Sequence, residues 1–256
     1  MSVDTLSQKG LAVRIDANGF HHRELNRLIR EAVAEGAQRI DLHGVCGQRY
    51  IATNLRSGAE IHIHGTPGND LGAFLDGSRL IVYGNAQDGC GNTMNEGEII
   101  VHGHAGDIAG LSARGGRIFI REDVGYRAGI HMKEYEGKGP ALVIGGTAQD
   151  FLGEYMAGGT MVVLGLTLNG GNCHTASFVG TGMHGGVIYL RGQINDYQLG
   201  KEVGVSQPNR KDRAILRELV TQFAGHFGFD AEEILAGRFV KLFPLYLRPY
   251  GRLYTY

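Results

Sequence analysis

The sequence predicts a mainly β fold, a parallel β-helix of about seven stacked coils, and three observations carry that expectation. The first is a glycine period. Gly72, Gly91, Gly110 and Gly129 follow one another at intervals of 19, and Gly153 and Gly180 continue the row at 24 and 27. The second is a set of short apolar runs that recur with the glycines: Ile61-His62-Ile63, Leu80-Ile81-Val82, Ile99-Ile100-Val101, Ile118-Phe119-Ile120, Leu142-Val143-Ile144, Met161-Val162-Val163 and Ile188-Tyr189-Leu190. The third is constant register. Strand alternation sends the first and third residue of each run to one face. The residues before the glycines (Leu71, Cys90, Ala109, Ala128, Leu152, Val179) and three after them (Leu75, Met94, Ala113, Met132, Met156, Met183) add two more apolar rows.

Four such rows fit a tube filled by its own side chains. Strands ~4.8 Å apart would make it roughly 30–35 Å long. The period leaves its hand undetermined. The glycines belong at corners, where φ > 0 or close stacking excludes a Cβ. The 42 glycines of this 256-residue chain are therefore architectural rather than a sign of disorder.

Taken in order, residues 1–10 read as a loose start and Leu11 to Ile15 as a strand. From His22 to Ala37, Leu25, Leu28, Ile29, Ala32 and Val33 recur at helical spacing, with Arg23, Arg27, Arg30 and Glu31 opposite. Arg39 to Leu42 returns as a strand. This strand–helix–strand segment, residues 1–45, is expected to cap one end of the prism, since a bare coil would expose its core and unpaired backbone.

The β-helix is expected over residues 46–195. Outside it, Glu60, Arg79, Glu98 and Arg117 form a row of alternating charge that reads as a solvated ladder. The middle outward row (His62, Ile81, Ile100, Phe119, Val143, Val162, Tyr189) is too apolar to meet water. Either the chain's own helices or another protein must cover it. Two insertions, Met132 to Lys138 and Asn169 to Phe178, are expected to bulge out as partner-facing loops. Residues 196–256 form a C-terminal helical extension and tail. Asp212 to Phe227 places Ile215, Leu216, Leu219, Val220 and Phe223 on one helical face, and Asp230 caps a shorter helix ending near Gly237. The aromatic tail, Phe239 to Tyr256, is expected to dock on the prism or on a neighbour.

Composition narrows function. A formal net charge of −1 without a basic run gives no reason to expect nucleic acid. No apolar run approaches the ~18 residues of a membrane span, and no apolar signal core opens the chain, so a cytoplasmic location is the expectation. Cys46, Cys90 and Cys173 lack the spacing of a zinc or iron–sulfur site, and Cys90 belongs to a core row.

Two constellations invite a chemical reading. Asp88, Asp107 and Asp150 share one register position, with Asn69 ahead of them. A stacked carboxylate row reads either as the acid cluster of a stand-alone carbohydrate-acting enzyme or a calcium site, or as corner residues that each bond nearby backbone N–H groups. The corner reading is preferred. His62/His64 and His102/His104 are H-x-H pairs that could hold a metal, but their rows contain no carboxylate or thiolate. The segment Gly103 to Asp107 lacks the following helix that a phosphate cradle requires. No catalytic, cofactor-binding or metal-ligating residue is assigned.

Several motifs resemble a known family. They are Gly47-Gln48-Arg49-Tyr50, Gly91-Asn92-Thr93-Met94-Asn95, the run Gly125-Tyr126-Arg127-Ala128-Gly129-Ile130-His131-Met132-Lys133-Glu134-Tyr135, Gly153-Glu154-Tyr155-Met156-Ala157-Gly158-Gly159, Gly182-Met183-His184-Gly185-Gly186 and the tail Phe239-Val240-Lys241-Leu242-Phe243-Pro244. Together they resemble the GXGXG C-terminal domain of the glutamate synthase large subunit, and more closely its free-standing form, over about Val13 to Tyr246. The resemblance implies a right-handed β-helix that acts as a non-catalytic scaffold in glutamate biosynthesis. It also implies separate partners, a glutamine amidotransferase subunit and a synthase subunit that carries FMN and iron–sulfur clusters. Ammonia released by the first would pass to 2-oxoglutarate on the second. The same domain type resembles the β-helix subunit of formylmethanofuran dehydrogenase and of the formyltransferase/hydrolase complex, which is the alternative assembly. The C-terminal helices and tail favour the glutamate synthase branch. A homo-oligomer is compatible with either.

Overall fold

The structure, a computed structural model, describes residues 3–6, 11–168 and 173–246, with side chains from residue 12 onward. Parts of the expected loose start, residues 169–172 of the second insertion, and the tail beyond residue 246 lie outside this description. The chain opens with β1 (Val3–Leu6) antiparallel to β2 (Leu11–Asp16), so a strand stands within the expected loose start. Four residues are too short a run to show strand alternation in the sequence. Helix α1 (His22–Ala34) ends before Ala37, because Ala37 already begins β3 (Ala37–Cys46). Its Leu25 and Ile29 are buried in the same core as Ile40 and Ile61.

The repeat strands follow: β4 (Glu60–Thr66), β5 (Asp76–Tyr83), β6 (Glu96–Val101), β7 (Arg117–Ile120), β8 (Ala141–Ile144), β9 (Ala157–Val163) and β10 (Gly185–Arg191). From β2 to β10 each strand pairs in parallel with the next. Ile40, Ile61, Leu80, Ile99, Ile118, Leu142, Met161 and Ile188 are successive partners, all buried, and form one continuous column.

The protein is thus a parallel β-solenoid of about six turns rather than the seven coils expected: seven apolar runs bound six intervals. The β3–β4 connection carries the same rows one step further back, with Ile51 and Leu55 buried. There Ala52, at φ 59°, stands where later coils have glycine.

The corner arc explains the glycine period. Left-handed residues occur at every second position: Asp70, Gly72 and Phe74 in one turn; Gly89, Gly91 and Thr93 in the next; Ile108, Gly110 and Ser112 after that. Two consecutive reverse turns lie over each arc. Ala73 N–H donates to Asp70 C=O (3.2 Å) and Leu75 N–H to Gly72 C=O (3.1 Å), which puts Gly72 and Phe74 at the third positions, where a type II turn needs φ > 0. The left-handed residues link the coils in alternate directions. Asp70 and Phe74 N–H donate forward to Asp88 and Asn92 C=O (2.8 Å each), while Gly72 N–H donates back to Ile51 C=O (2.9 Å).

The outer face of the strands is covered by the chain itself. The C-terminal segment comprises β11 (Val203–Ser206), α2 (Arg210–Phe227), α3 (Ala231–Leu235) and β12 (Phe239–Pro244). Ile81, Ile100, Phe119, Val143, Val162 and Tyr189 pack with Leu216, Leu219, Val220 and Phe223 of α2 and Ile234 of α3. Burying an apolar side chain of this size contributes ~1.5–3 kcal/mol, against ~0–1 for a surface ion pair, so these contacts dominate the docking. Ile215 departs from the expected face and is exposed. The charged ladder also departs from expectation. Arg79 bridges Glu60 (3.1 Å) and Glu98 (2.7 Å), but Arg117 turns to Glu218 (2.7 Å) and Gln222 (2.6 Å) of α2. The tail strand β12 pairs antiparallel with β10 on one side and β11 on the other, so the last parallel rung is not an open edge.

Under α2, the Asp212 carboxylate accepts from Tyr189 Oη (2.6 Å), Lys241 Nζ (2.8 Å) and the Asn209 N–H (2.8 Å). Burial alone would raise its pKa. The bonds from Lys241, Tyr189 and Asn209 outweigh burial and hold it below the ordinary carboxylate value.

This packing makes two glycines and one lysine informative to replace. Gly110 has φ 72°, and an added Cβ would meet only ordinary contacts beginning with Leu142 Cδ2 at 3.4 Å; Gly97 has φ 105°, and its Cβ would overlap the Ser78 carbonyl oxygen. Gly110→Ala should cost about 1–2 kcal/mol in urea unfolding, and Gly97→Ala at least twice that. Equal costs would refute the stacking account. Lys241→Met should destabilise by about 3 kcal/mol at pH 7, by stranding a buried carboxylate. The stability that Asp212 contributes through its depressed pKa is complete above its unfolded value of about 3.9 and is lost as pH falls through the lower folded value. The gap between variant and parent should therefore narrow in acid; unfolding curves at several pH values test this.

Candidate functional site

The carboxylate row resolves into backbone contacts. Asp88 Oδ1 accepts from Asp107 N–H (2.9 Å), Asp107 Oδ1 from Tyr126 N–H (2.8 Å), and Asp150 Oδ1 from Ser177 N–H (2.8 Å). Each carboxylate ties one coil to the next, as the corner reading expects. Asn69 takes part through its backbone, its carbonyl accepting from Tyr50 N–H (2.9 Å). A further such residue, Asp123, lies outside that row and so carried no register signal in the sequence. It accepts from the Thr147 N–H (2.6 Å) and from the hydroxyls of Thr147 (3.0 Å) and Thr167 (2.7 Å). Burial works to raise its pKa, but these donors pull it below the ordinary value.

The histidines form a stack. His64 lies between His43 (4.3 Å between ring centres) and Tyr83 (4.7 Å), and Tyr83 stacks in turn on His102 (5.2 Å). Phe227 of α2 closes the column edge-on against His102. Burial, reinforced by His43 at His64 and by Arg121 at His102, lowers both pKa values, so these rings favour the neutral form. His62 is buried, with Nδ1 2.9 Å from Tyr83 Oη and Nε2 against Glu60. His104 stands apart, its backbone N–H bonded to Asn85 Oδ1 (3.2 Å). The H-x-H pairs thus do not come together as a metal centre. Among the described residues no group of three or more His, Cys, Asp or Glu side chains is arranged to hold a metal ion.

The cysteines do not converge either. Cys46 is exposed on β3, and Cys173 lies beside Asn195 near the other end of the sheet. Cys90 is buried in the core, where burial pushes its thiol up to about 12. This donor set does not fit an iron–sulfur cluster, which needs converging thiolates.

A different surface stands out, one that the sequence rows did not reveal. On the outside of the later corner arcs, the Arg127 guanidinium lies 4.5 Å over the Phe151 ring, and Phe151 stacks on Phe178 (4.9 Å, 10° between planes). Beside them His131 stacks on Tyr155 (5.5 Å, 10°). Arg127 is also fixed by Glu154 at 3.0 Å. These residues occupy the first and last left-handed positions of their arcs, with φ of 51–64°. Tyr126, Tyr155 and Phe178 are about half exposed, at 46%, 48% and 54%. Stacking is automatic here, because equivalent positions on neighbouring coils are superposed. The only sequence signal was the recurrence of aromatics two residues either side of the glycine.

The insertions differ from one another. Residues 133–139 turn back on themselves through paired bonds between Tyr135 and Lys138 (2.9 Å each), and Lys138 reaches Glu96 (3.1 Å). The described end of the second insertion delivers Phe178 to the aromatic surface.

Comparison with known proteins agrees with this architecture. A protein of Methanocaldococcus jannaschii, described as uncharacterized, is 45% identical over 251 residues, covering 95% of this chain and 96% of the relative. Residues 32–247 match the GXGXG motif family. That span holds every corner arc and both faces described above, and the chain belongs to the GXGXG family, that of the C-terminal domain of the glutamate synthase large subunit.

Proposed function

We propose that this chain is a non-catalytic scaffold subunit of a glutamate synthase-like assembly in glutamate biosynthesis. Its partners would be a glutamine amidotransferase subunit and an oxidoreductase subunit carrying FMN and iron–sulfur clusters. In this reading the solenoid winds right-handed, as in the resembled family. The β1–α1 segment and the C-terminal helices close its two ends and one side, and the protein works in the cytoplasm.

Family membership supports the reading, and the exposed stack of Arg127, Phe151, Phe178, His131 and Tyr155 carries it. Aromatic rings and arginine are the groups enriched where proteins bind one another, and they dominate binding when buried at an interface. The apolar outward row of the strands, which could equally have faced a partner, is taken up by α2 and α3 and lends no support. The carbohydrate-enzyme alternative is weakened by the backbone bonds of Asp88, Asp107 and Asp150.

Gentle affinity purification from the native host, with the chain tagged in place, should recover two further polypeptides and flavin absorbance at about 450 nm, a property expected of FMN on a partner. Tyr155→Ala with Phe178→Ala should lose them, each truncation costing about 2 kcal/mol of binding, while thermal stability stays near that of the parent. Partners of the formylmethanofuran dehydrogenase type would move the assignment to that alternative. A chain that remains alone and colourless would overturn the scaffold reading.

A further inference from the structure

We infer that the cleft where α2, α3 and β12 meet binds a small organic anion, a carboxylate or phosphate ester with a short apolar body. The cleft encloses about 260 Å3 and is lined by Arg213, Arg217, Arg238, Leu216, Leu235 and Phe239. It lies on the C-terminal cover, and the inference is independent of the scaffold reading.

The charge balance is the first argument. Three arginines line one cavity in a chain whose formal net charge is only −1. Arg217 is held by the Glu232 carboxylate. The side chain of Arg213 makes one bond among the described residues, from Nε to the Pro208 carbonyl at 3.4 Å, and that of Arg238 makes none. Among the described residues, two guanidiniums are therefore left with planar N–H edges and no carboxylate, the arrangement that recognises carboxylate and phosphate by paired hydrogen bonds. Glu232 offsets only one of the three like charges; the other two repel, and an anion between them relieves that cost.

The lining sets the rest of the ligand. Leu216, Leu235 and Phe239 supply an apolar floor, so the body attached to the anionic head should be hydrocarbon or aromatic. The volume lies just below the ~300–1,000 Å3 usual for ligand sites, which limits the ligand to a small metabolite. The start of α2 is not the recognition element, since its N–H groups are already capped by Asn209.

Isothermal titration of the full chain with phenyl phosphate and with succinate, against inorganic phosphate as control, tests the inference. Saturable binding of either organic anion at a Kd of about 1 mM or tighter is expected, with inorganic phosphate at least about tenfold weaker for want of the apolar body. Which of the two binds decides between a phosphate and a carboxylate ligand. Arg213→Gln and Arg238→Gln should each weaken binding about tenfold or more, Arg217→Gln by less than about threefold, and Arg238→Lys should keep part of the affinity. Circular dichroism establishes that each variant is folded. No saturable binding by either organic anion, equal binding of inorganic phosphate, or binding indifferent to Arg213→Gln and Arg238→Gln would overturn the inference.

Discussion

One condition places nearly every group in this protein: each coil must hydrogen-bond to the coils on both sides while the tube they enclose stays full. The strands meet it by ordinary parallel pairing. The corner arcs meet it by alternating backbone handedness, so that Gly72 donates back to Ile51 while Asp70 and Phe74 donate forward. A chain of L-residues resists this alternation, since each left-handed non-glycine residue costs on the order of 1–2 kcal/mol. Glycine removes that cost, and its spacing in the sequence records where the alternation is needed. The coil then fixes where side chains can go, because equivalent positions on successive coils must lie over one another.

This condition made the interior legible. Ile61, Leu80, Ile99 and Ile118 could be placed in one column from spacing alone, and they are consecutive partners. The corner carboxylates were legible for the same reason, since a residue at a constant register can only reach its counterpart one coil away. What escaped was whatever lacked a period. The first arc, though inside the expected span of 46–195, was not placed in the glycine row, because Ala52 stands at φ 59° where later coils have glycine. The α2 cover could be named only as one of two options, because nothing in the spacing of Phe119 or Val143 says which surface approaches them. The aromatic stack was missed although its spacing is regular. Its rows mix Arg127, Phe151 and Phe178 with Ile108 and Gly89, and such a mixture does not register as an apolar row.

The two outer faces contrast in a way that bears on function. Along the strands, an apolar row meets the apolar side of α2, and polar groups at its margin, Arg117 with Glu218 and Gln222, set the position of the helix. That face is internally complete. Along the arcs, rings of similar size are left half exposed and are ordered by one another and by Arg127. The chain therefore places its C-terminal helices on the strand face and, among the described residues, leaves the aromatic arc face uncovered.

Energetics sharpen the contrast. Phe151, Tyr155 and Phe178 sit at φ of 64°, 51° and 58°, positions that glycine fills without strain in Gly89 and Gly182. Each ring costs about 1–2 kcal/mol in backbone strain, while an aromatic pair returns about 0.5–1.5 kcal/mol beyond the area it buries. With Arg127 and His131, both at φ 56°, five strained residues share one Phe–Phe stack, one His–Tyr stack and one cation–π contact, so within the isolated chain these contacts do not offset the strain. Folding alone gives no reason to prefer these rings over glycine or asparagine. Under the proposed scaffold role binding would: the strain is already present in the free chain, the rings are already ordered, and a second surface that covered them would gain their burial without the entropy of fixing them.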